Sequence, residues 1–303
     1  MRQKKNVCIV VTRNNKDIDI ILSNSLIKKS EHILISDQSY FISKKKNLNH
    51  LTYPPGFGSS FTSTEQISDI IASLDSNPID TAYLMFFDKT AAEKFGEIYN
   101  KNLLFKHTLL NYKTILTLDL FGKNELDILK SFERSTIQII KSKSKLENVD
   151  YNVLNNYDPR FYDLYNKLSK IKKFSDTYLY SENDFKNLGK MGNIFFFGLE
   201  FNKVLIGGSF FRIVLTPKGK RMDYLLSANL KNSKIRYGNT LIIWYGIKLA
   251  IKNNCSLFNF GGGVTENDSL FNFKLSFGTQ KKLIAGCRVI NRKNLNKRNN
   301  LTN

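Results

Sequence analysis

Cysteine is scarce in this 303-residue chain: Cys8, Cys255 and Cys287 are the only three, and they lie far apart. An odd, scattered set makes neither a disulfide framework nor a zinc-ligand pattern, so a reducing compartment is expected. Each thiol reads as a small buried hydrophobe beside a strand-like run. Histidine is equally rare, and His32, His50 and His107 share no ligand spacing. No metal site and no hydrolase triad is expected. Long apolar runs are missing too, none approaching the roughly 18 residues of a membrane helix. The basic start, Met1 to Lys5, leads into Val7 to Val11, too short for a signal-peptide core, with no small-residue cleavage site after it. A soluble, cytoplasmic protein is therefore expected. The chain has no internal repeat or low-complexity segment, and Gly261 to Gly263 fit neither a dinucleotide fingerprint nor a phosphate-binding loop.

What is present is aromatic and basic. Hydrophobic residues make up 42% and aromatics 13%, enough for real cores, and the length allows two ordinary domains. Lys and Arg number 46 against 26 Asp and Glu, a net charge of +20. Such a field attracts nucleic acid (tRNA included), nucleotide-sugar diphosphates or an anionic membrane face, or it serves only solubility. Part of it sits at the ends, in Arg2 to Lys5 and in Arg292, Lys293, Lys297 and Arg298.

Hydrophobic periodicity predicts a mixed α/β first half. Strands are expected at Val7–Val11, Ile33–Ile35, Tyr40–Ile42, Thr81–Phe87 and Thr114–Leu120. Helices are expected at Ile18–Leu26, Thr64–Leu74 and Ala91–Asn100, with Lys44 to His50 as punctuation and Thr52 to Ser60 as a Pro-Gly loop. One long helix is expected over Asn124–Lys143, and a domain boundary near Glu147. Further on, helices at Asp158–Ile171 and Ser181–Leu188 precede strands at Asn193–Glu200, Lys203–Val214 and Arg221–Ser227. The first two of these strands are joined at Phe201-Asn202, as in an antiparallel hairpin. The helix Thr240–Lys252 is apolar nearly all round and so should be buried. A strand at Leu283–Ile290 closes the series.

The densest signal follows that helix. A short strand, Ser256–Phe260, runs into Gly261, Gly262 and Gly263, where the backbone is free to take positive φ and to approach another group closely. Lys274 comes next, framed by Phe271, Phe273, Leu275 and Phe277. A lysine so placed, with its stem on apolar surface and its ammonium free to point at another group, suits an anion or a developing oxyanion. The bland alternative is a surface lysine between core aromatics.

Tyr224-Leu-Leu-Ser-Ala-Asn229, Arg236-Tyr-Gly-Asn239, the apolar helix, Phe260 with its glycines, and Phe273-Lys274 before Gly278 follow one another in that order. Together they resemble the C-terminal domain of the FemAB-like N-acyltransferases of the GNAT superfamily, over about Phe195 to Gly278. The resemblance implies an α/β (α+β) fold of tandem GNAT-like domains, with mixed, mostly antiparallel sheets flanked by helices. Residues 1–147 would help form an acceptor cleft and residues 148–303 would carry the chemistry, with the last strand packing back on the first domain. It implies an acyl-CoA (acetyl-CoA) or aminoacyl-tRNA donor and no metal. The acceptor would be an amine of a cell-envelope precursor, a nucleotide-linked amino sugar or a peptidoglycan stem peptide.

The resemblance also suggests roles. Lys274 would stabilise charge during transfer, and Glu200 and Asp223 are candidate general bases. Tyr224, Ser227, Arg236, Tyr237, Gly238, Asn239, the three glycines Gly261, Gly262 and Gly263, and Phe273 would hold donor or substrate. Tyr53 and Gly56 in the Pro-Gly loop, with Arg134, would face the acceptor. The family's paired glycines before the main helix are reduced to Gly238 here, which leaves coenzyme A binding open against a plain helix cap with Asn239 as N-cap. No long heptad-patterned helical pair is inserted, which favours an acyl-CoA donor. A tRNA-binding or non-catalytic GNAT-like module is the rival reading.

Overall fold

The computed structural model describes residues 31–35, 38–45, 48–52, 80–86, 109–143, 149–154, 157–174, 178–190, 192–216, 218–229, 237–263 and 265–290, with positions 93, 95 and 97. The elements expected at Val7–Val11, Ile18–Leu26 and Thr64–Leu74 lie outside them, as do Tyr53, Gly56, Arg236 and most of the Pro-Gly loop. The chain divides into two compact units, one holding Thr114–Lys282 and the other the described residues before and after it.

In the flanking unit, β1 (Glu31–Ile35), β2 (Gln38–Lys45), β3 (Leu48–Thr52) and β4 (Thr81–Phe86) are joined by the C-terminal strand β11 (Gln280–Ile290). Their order is β1-β2-β3-β4-β11, antiparallel except for β3 with β4. Ala82, Leu84 and Phe86 bury one face of β4 by strict alternation, and Phe86 packs on Phe95. β3 replaces the punctuation expected at Asn47–His50, because pairing with β2 outweighs the poor strand propensity of Asn and His. β11 pairs with β4, which puts Leu283–Ile290 with the first half of the chain.

The second unit contains a six-stranded sheet in the order β5-β10-β9-β8-β7-β6. Its strands are β5 (Leu109–Asp119), β6 (Val149–Leu154), β7 (Ile194–Phe201), β8 (Val204–Thr216), β9 (Gly219–Asn229) and β10 (Cys255–Gly261). Every pairing is antiparallel except β9 with β10. Asn202 and Lys203, both at positive φ, close the β7–β8 hairpin, one residue later than the expected joint; this is the primed geometry that suits strand twist. The helices are α1 (Glu125–Lys130), α2 (Arg134–Lys143), α3 (Arg160–Lys172), α4 (Glu182–Gly189), α5 (Gly238–Lys252) and α6 (Ser269–Leu275).

The single helix expected over Asn124–Lys143 is two. Asn124 starts α1 through a capping box, and Ser131 ends it. Phe132 then turns inward edge-on to Trp244 and Phe277, while the Glu133 amide donates to Ser276 O. The boundary expected near Glu147 falls inside the second unit, because α2 packs on α5 and buries Ile140 in the same core.

Alternation along β7 and β8 gives the sheet two apolar faces. Phe197, Leu199 and Phe211 join the core under α5, in which most side chains are buried, as its all-round hydrophobicity requires. Phe196 and Phe210 face the other way and meet Phe161 of α3 and Phe185 of α4, in tilted, edge-on and stacked ring contacts. α5 lies so close to the sheet that a Cβ on Gly246 would overlap the Phe211 ring at Cε1 and Cζ. Gly246→Ala should therefore cost about 1–3 kcal/mol by overpacking, read as a lower urea midpoint at unchanged slope. Cys255 is buried at the start of β10, and burial pushes its thiol up to about 11, so iodoacetamide should label it only after unfolding.

Candidate active site

The parallel ladder of β9 and β10 stops early. Its rungs run from Lys220 with Cys255 to Asp223 with Asn259. Beyond that point β9 continues from Tyr224 to Asn229 paired only with β8, while β10 stays on β5. The two strands part like the arms of a fork, and Asn259 stands at the vertex. Its Nδ2 donates to Asp223 Oδ1 at 2.9 Å, and its Oδ1 accepts from the Gly261 amide at 2.9 Å. One side chain thus ties the arms together and turns its own strand away. Gly261 takes φ +67 for that turn, which a β-branched residue would resist.

A bulge accompanies the turn. Against β5, Asn259 pairs with Thr117 and Gly261 with the next residue, Leu116, so Phe260 is the extra one. A bulge leaves such a residue outside the ladder. Lys274, only 5% exposed, reaches over from α6 and donates to Phe260 O and Gly262 O, both at 2.6 Å. Its Nζ also lies 5.8 Å from the centre of the Tyr224 ring on the opposite arm. The ammonium expected to be free to point at another group is held by these two carbonyls of its own chain. Asp268, the N-cap of α6, sets the helix by accepting from Phe271 N at 2.7 Å; Phe273 is half-buried, edge-on to Phe277. Gly263 passes so near this cap that a Cβ would be 2.5 Å from Asp268 Oδ1.

Asp223 is buried at the vertex, 2% exposed, between two arginines. Arg221 Nε binds its Oδ1 at 2.7 Å and Arg212 Nη2 its Oδ2 at 3.0 Å. Burial alone would raise this carboxyl. The charges of Arg221 and Arg212, with hydrogen bonds from Arg221 and Asn259, outweigh it and hold the group below the usual carboxylate range. A carboxylate so committed is a poor proton acceptor. Glu200 does not come near it. Tyr224 shares a rung with Phe211, and Phe211 with Phe195. Glu200 is five residues further along β7, roughly 17 Å at strand spacing, where it pairs with Arg160. Both carboxylates expected as general bases are thus in ion pairs with arginines.

Tyr224 is hydrogen-bonded to Ser227, and burial pushes its hydroxyl up to about 12, leaving a neutral phenol. Ser227 in turn donates to Gly208 O at 3.1 Å. At the far end of the β9 arm, Gly238 opens α5 directly against Asn229, whose Nδ2 would be 2.8 Å from an added Cβ. Tyr237 is the N-cap residue and makes no side-chain cap; Asn239, expected as the cap, is an exposed residue of the first turn. No acidic side chain occupies that turn, so the helix end keeps its positive character. Arg134 is exposed at the start of α2 and in no ion pair among the described residues; the Thr136 hydroxyl nearby bonds Ser276. Lys274, Tyr224, Ser227 and the glycines therefore converge on the fork, while Glu200 and Arg134 do not. Asn259, Arg221 and Arg212 were missed by sequence reasoning. Only the strand-ending Asn two residues before Gly261 hinted at the first.

Among the described residues, no three or more His, Cys, Asp or Glu side chains come together as metal ligands. No helix there is long and apolar enough to cross a membrane.

Solved structures share this fold at low sequence identity. FemX superposes at TM-score 0.58 with 14% identity, over 82% of this chain and 83% of that one. The chain shares the fold of FemX. L-PGS from Bacillus licheniformis matches at TM-score 0.52 and 10% identity, over 86% and 84% of the two chains. A conserved protein of unknown function from Bacteroides thetaiotaomicron matches at TM-score 0.54 and 11% identity, over 86% of each. No family model and no curated protein matches by sequence.

The folded Asp223 carboxyl lies below its unfolded value, so its ion cluster adds stability above the unfolded range, near pH 4, and loses it as pH falls through the folded value. Asp223→Asn should cost about 3–5 kcal/mol at neutral pH by removing the carboxylate that pairs with the buried Arg221 and the part-buried Arg212. Urea titrations at pH 7 and pH 3 should show that gap narrowing in acid.

Proposed function

We propose that the chain is an N-acyltransferase whose reaction takes place in the fork between β9 and β10. The observation that carries this reading is Lys274, a buried ammonium aimed by two backbone carbonyls at the point where the arms part. The acceptor amine attacks the donor's thioester or ester carbon, a C–N bond forms, and negative charge gathers on the carbonyl oxygen. A fixed positive charge that needs no reorganisation is the efficient way to stabilise that oxygen. Collapse then breaks the C–S or C–O bond. The neutral Tyr224 ring lines this point, and the amine's proton passes through solvent to the leaving sulfur or oxygen. Asp223 and Glu200 take no part in this scheme, since arginines hold both.

The donor is acyl-CoA or aminoacyl-tRNA. The uncapped, acid-free start of α5 favours a donor phosphate there, through Gly238, Asn239 and the helix dipole. The acceptor is an amine on an anionic cell-envelope precursor, a nucleotide-linked amino sugar or a peptidoglycan stem peptide. That choice rests on the FemAB-like fold and the charge of +20. The charge also favours a second reading, a tRNA-binding module without catalysis.

Mass spectrometry of the purified protein with acetyl-CoA or charged tRNA and a panel of such amines decides between them. The expected outcome is a new amide from one donor class. Steeply salt-dependent tRNA binding without product would support the second reading instead. Lys274→Ala should lower kcat on the order of 10²–10³-fold with KM little changed. It should also cost about 1–3 kcal/mol of stability for each carbonyl left unpaired. Full turnover in a folded Lys274→Ala protein would remove the lysine from the mechanism.

A further inference from the structure

Helix α3 ends outside the body of its unit. Lys170, Ile171 and Lys172 in its last turn and Lys173 at its C-cap are all exposed, whereas Ser169 is buried, so the tip is open to solvent over about half its circumference. Lys173 takes the left-handed conformation at φ 49, and the Phe174 amide bonds back to Ser169 O at 3.0 Å. Phe174 then packs on Tyr165 and on Tyr178, and the Tyr165 hydroxyl donates to Tyr178 O at 3.0 Å. The returning chain is thereby held beside the helix tip, where Tyr178 and Leu179 are 43% and 54% exposed and Ile171 is 68% exposed. None of the three lysines is in an ion pair among the described residues.

We propose that this tip docks the protein on an anionic lipid bilayer. Ile171, Leu179 and the Tyr178 ring enter the interface, and Lys170, Lys172 and Lys173 meet the headgroup phosphates. Protruding aliphatic and aromatic side chains ringed by lysines fit an interface that is apolar below and negative above. Charge complementarity selects this occupant over the others. A second copy meeting this patch about a two-fold axis would set lysines against lysines. Nucleic acid would satisfy the lysines and leave Ile171 and Leu179 without an apolar partner. The exposed Phe121 and Leu126 offer a contrast: the lysines beside them, Lys123 and Lys248, are already paired with Asp119 and Glu125. The inference does not depend on the acyl-transfer reading.

The test is co-sedimentation of the full chain with vesicles of phosphatidylcholine containing about one-third phosphatidylglycerol, at physiological salt. Wild type should bind these and not pure phosphatidylcholine. Because a charge of +20 binds anionic vesicles in many orientations, the decisive variant is Ile171→Ser with Leu179→Ser, which leaves the charge unchanged. It should bind about tenfold more weakly or worse. Gln at Lys170, Lys172 and Lys173 should weaken binding about tenfold or more, and Phe121→Ser should change nothing. The indole of a Tyr178→Trp variant should shift its emission to the blue on binding and be quenched by brominated lipid, against the buried background of the single native Trp244. Wild-type binding by the charge-preserving double variant, no binding by the wild type, or an indole signal from the Tyr178→Trp variant that ignores the vesicles would each overturn the proposal. So would a wild-type dimer that becomes monomeric in the double variant, which would identify the partner as a second copy.

Discussion

The Asn259 carboxamide, bonded to Asp223 across the sheet and to Gly261 along its own strand, is the interaction on which the rest of the candidate site depends. A parallel pair has no intrinsic reason to stop at one rung when both strands continue. Here the last rung is pinned by a side chain that at once redirects one strand. Everything beyond follows. The bulge at Phe260 leaves a carbonyl outside the ladder, Gly262 contributes another, and Lys274 is drawn in to satisfy both. A buried lysine is costly unless its protons are used, and this one offsets the bulge by answering its carbonyls. The ammonium is therefore structural and chemical at once. The same bonds that would make it a poor roaming general acid make it a well-aimed fixed charge.

The vertex is electrically unusual. Two arginines hold a single aspartate, so the local balance is positive although Arg221 and Asp223 are buried. Such clusters seldom raise net stability, because desolvation offsets most of the attraction. Their value lies in geometry: Asp223 cannot rotate without breaking bonds to Arg212, Arg221 and Asn259 together. Rigidity at the vertex passes to both arms. It fixes Tyr224, the next residue on β9, and Gly261, two residues on along β10.

The two faces of the sheet divide the work. One is sealed by α5, whose contact with Phe211 of β8 is so close that Gly246 has no room for a methyl group. The other carries an aromatic cluster under α3 and α4, remote from the fork in chemistry, which anchors the helix whose tip protrudes. A rigid aromatic base under that tip explains how exposed apolar side chains can be presented in a defined arrangement.

Much of this was legible in the residues. Alternation located β5, apolar runs located β4 and β7 to β9, the all-apolar helix pattern located α5, and the Gly-Gly-Gly after Phe260 marked the place where the backbone needed freedom. The order of weak motifs from Tyr224 to Gly278 also pointed to the FemAB-like fold that superposition supports. These features are local, and period and turn chemistry record them directly. What depended on distant partners was not legible. The break at Ser131–Glu133 exists because Phe132 fits between Trp244 and Phe277 and Ser276 takes the Glu133 amide. The role of Asp223 depends on Arg212 one strand away, and that of Asn259 on a rung nothing in the chain's spacing announces. Sequence by itself determined which segments are strands and helices and which residues are able to carry charge. Only the tertiary structure decided which charges meet, because pairing across a sheet is set by register between segments, and register is a property of the folded whole.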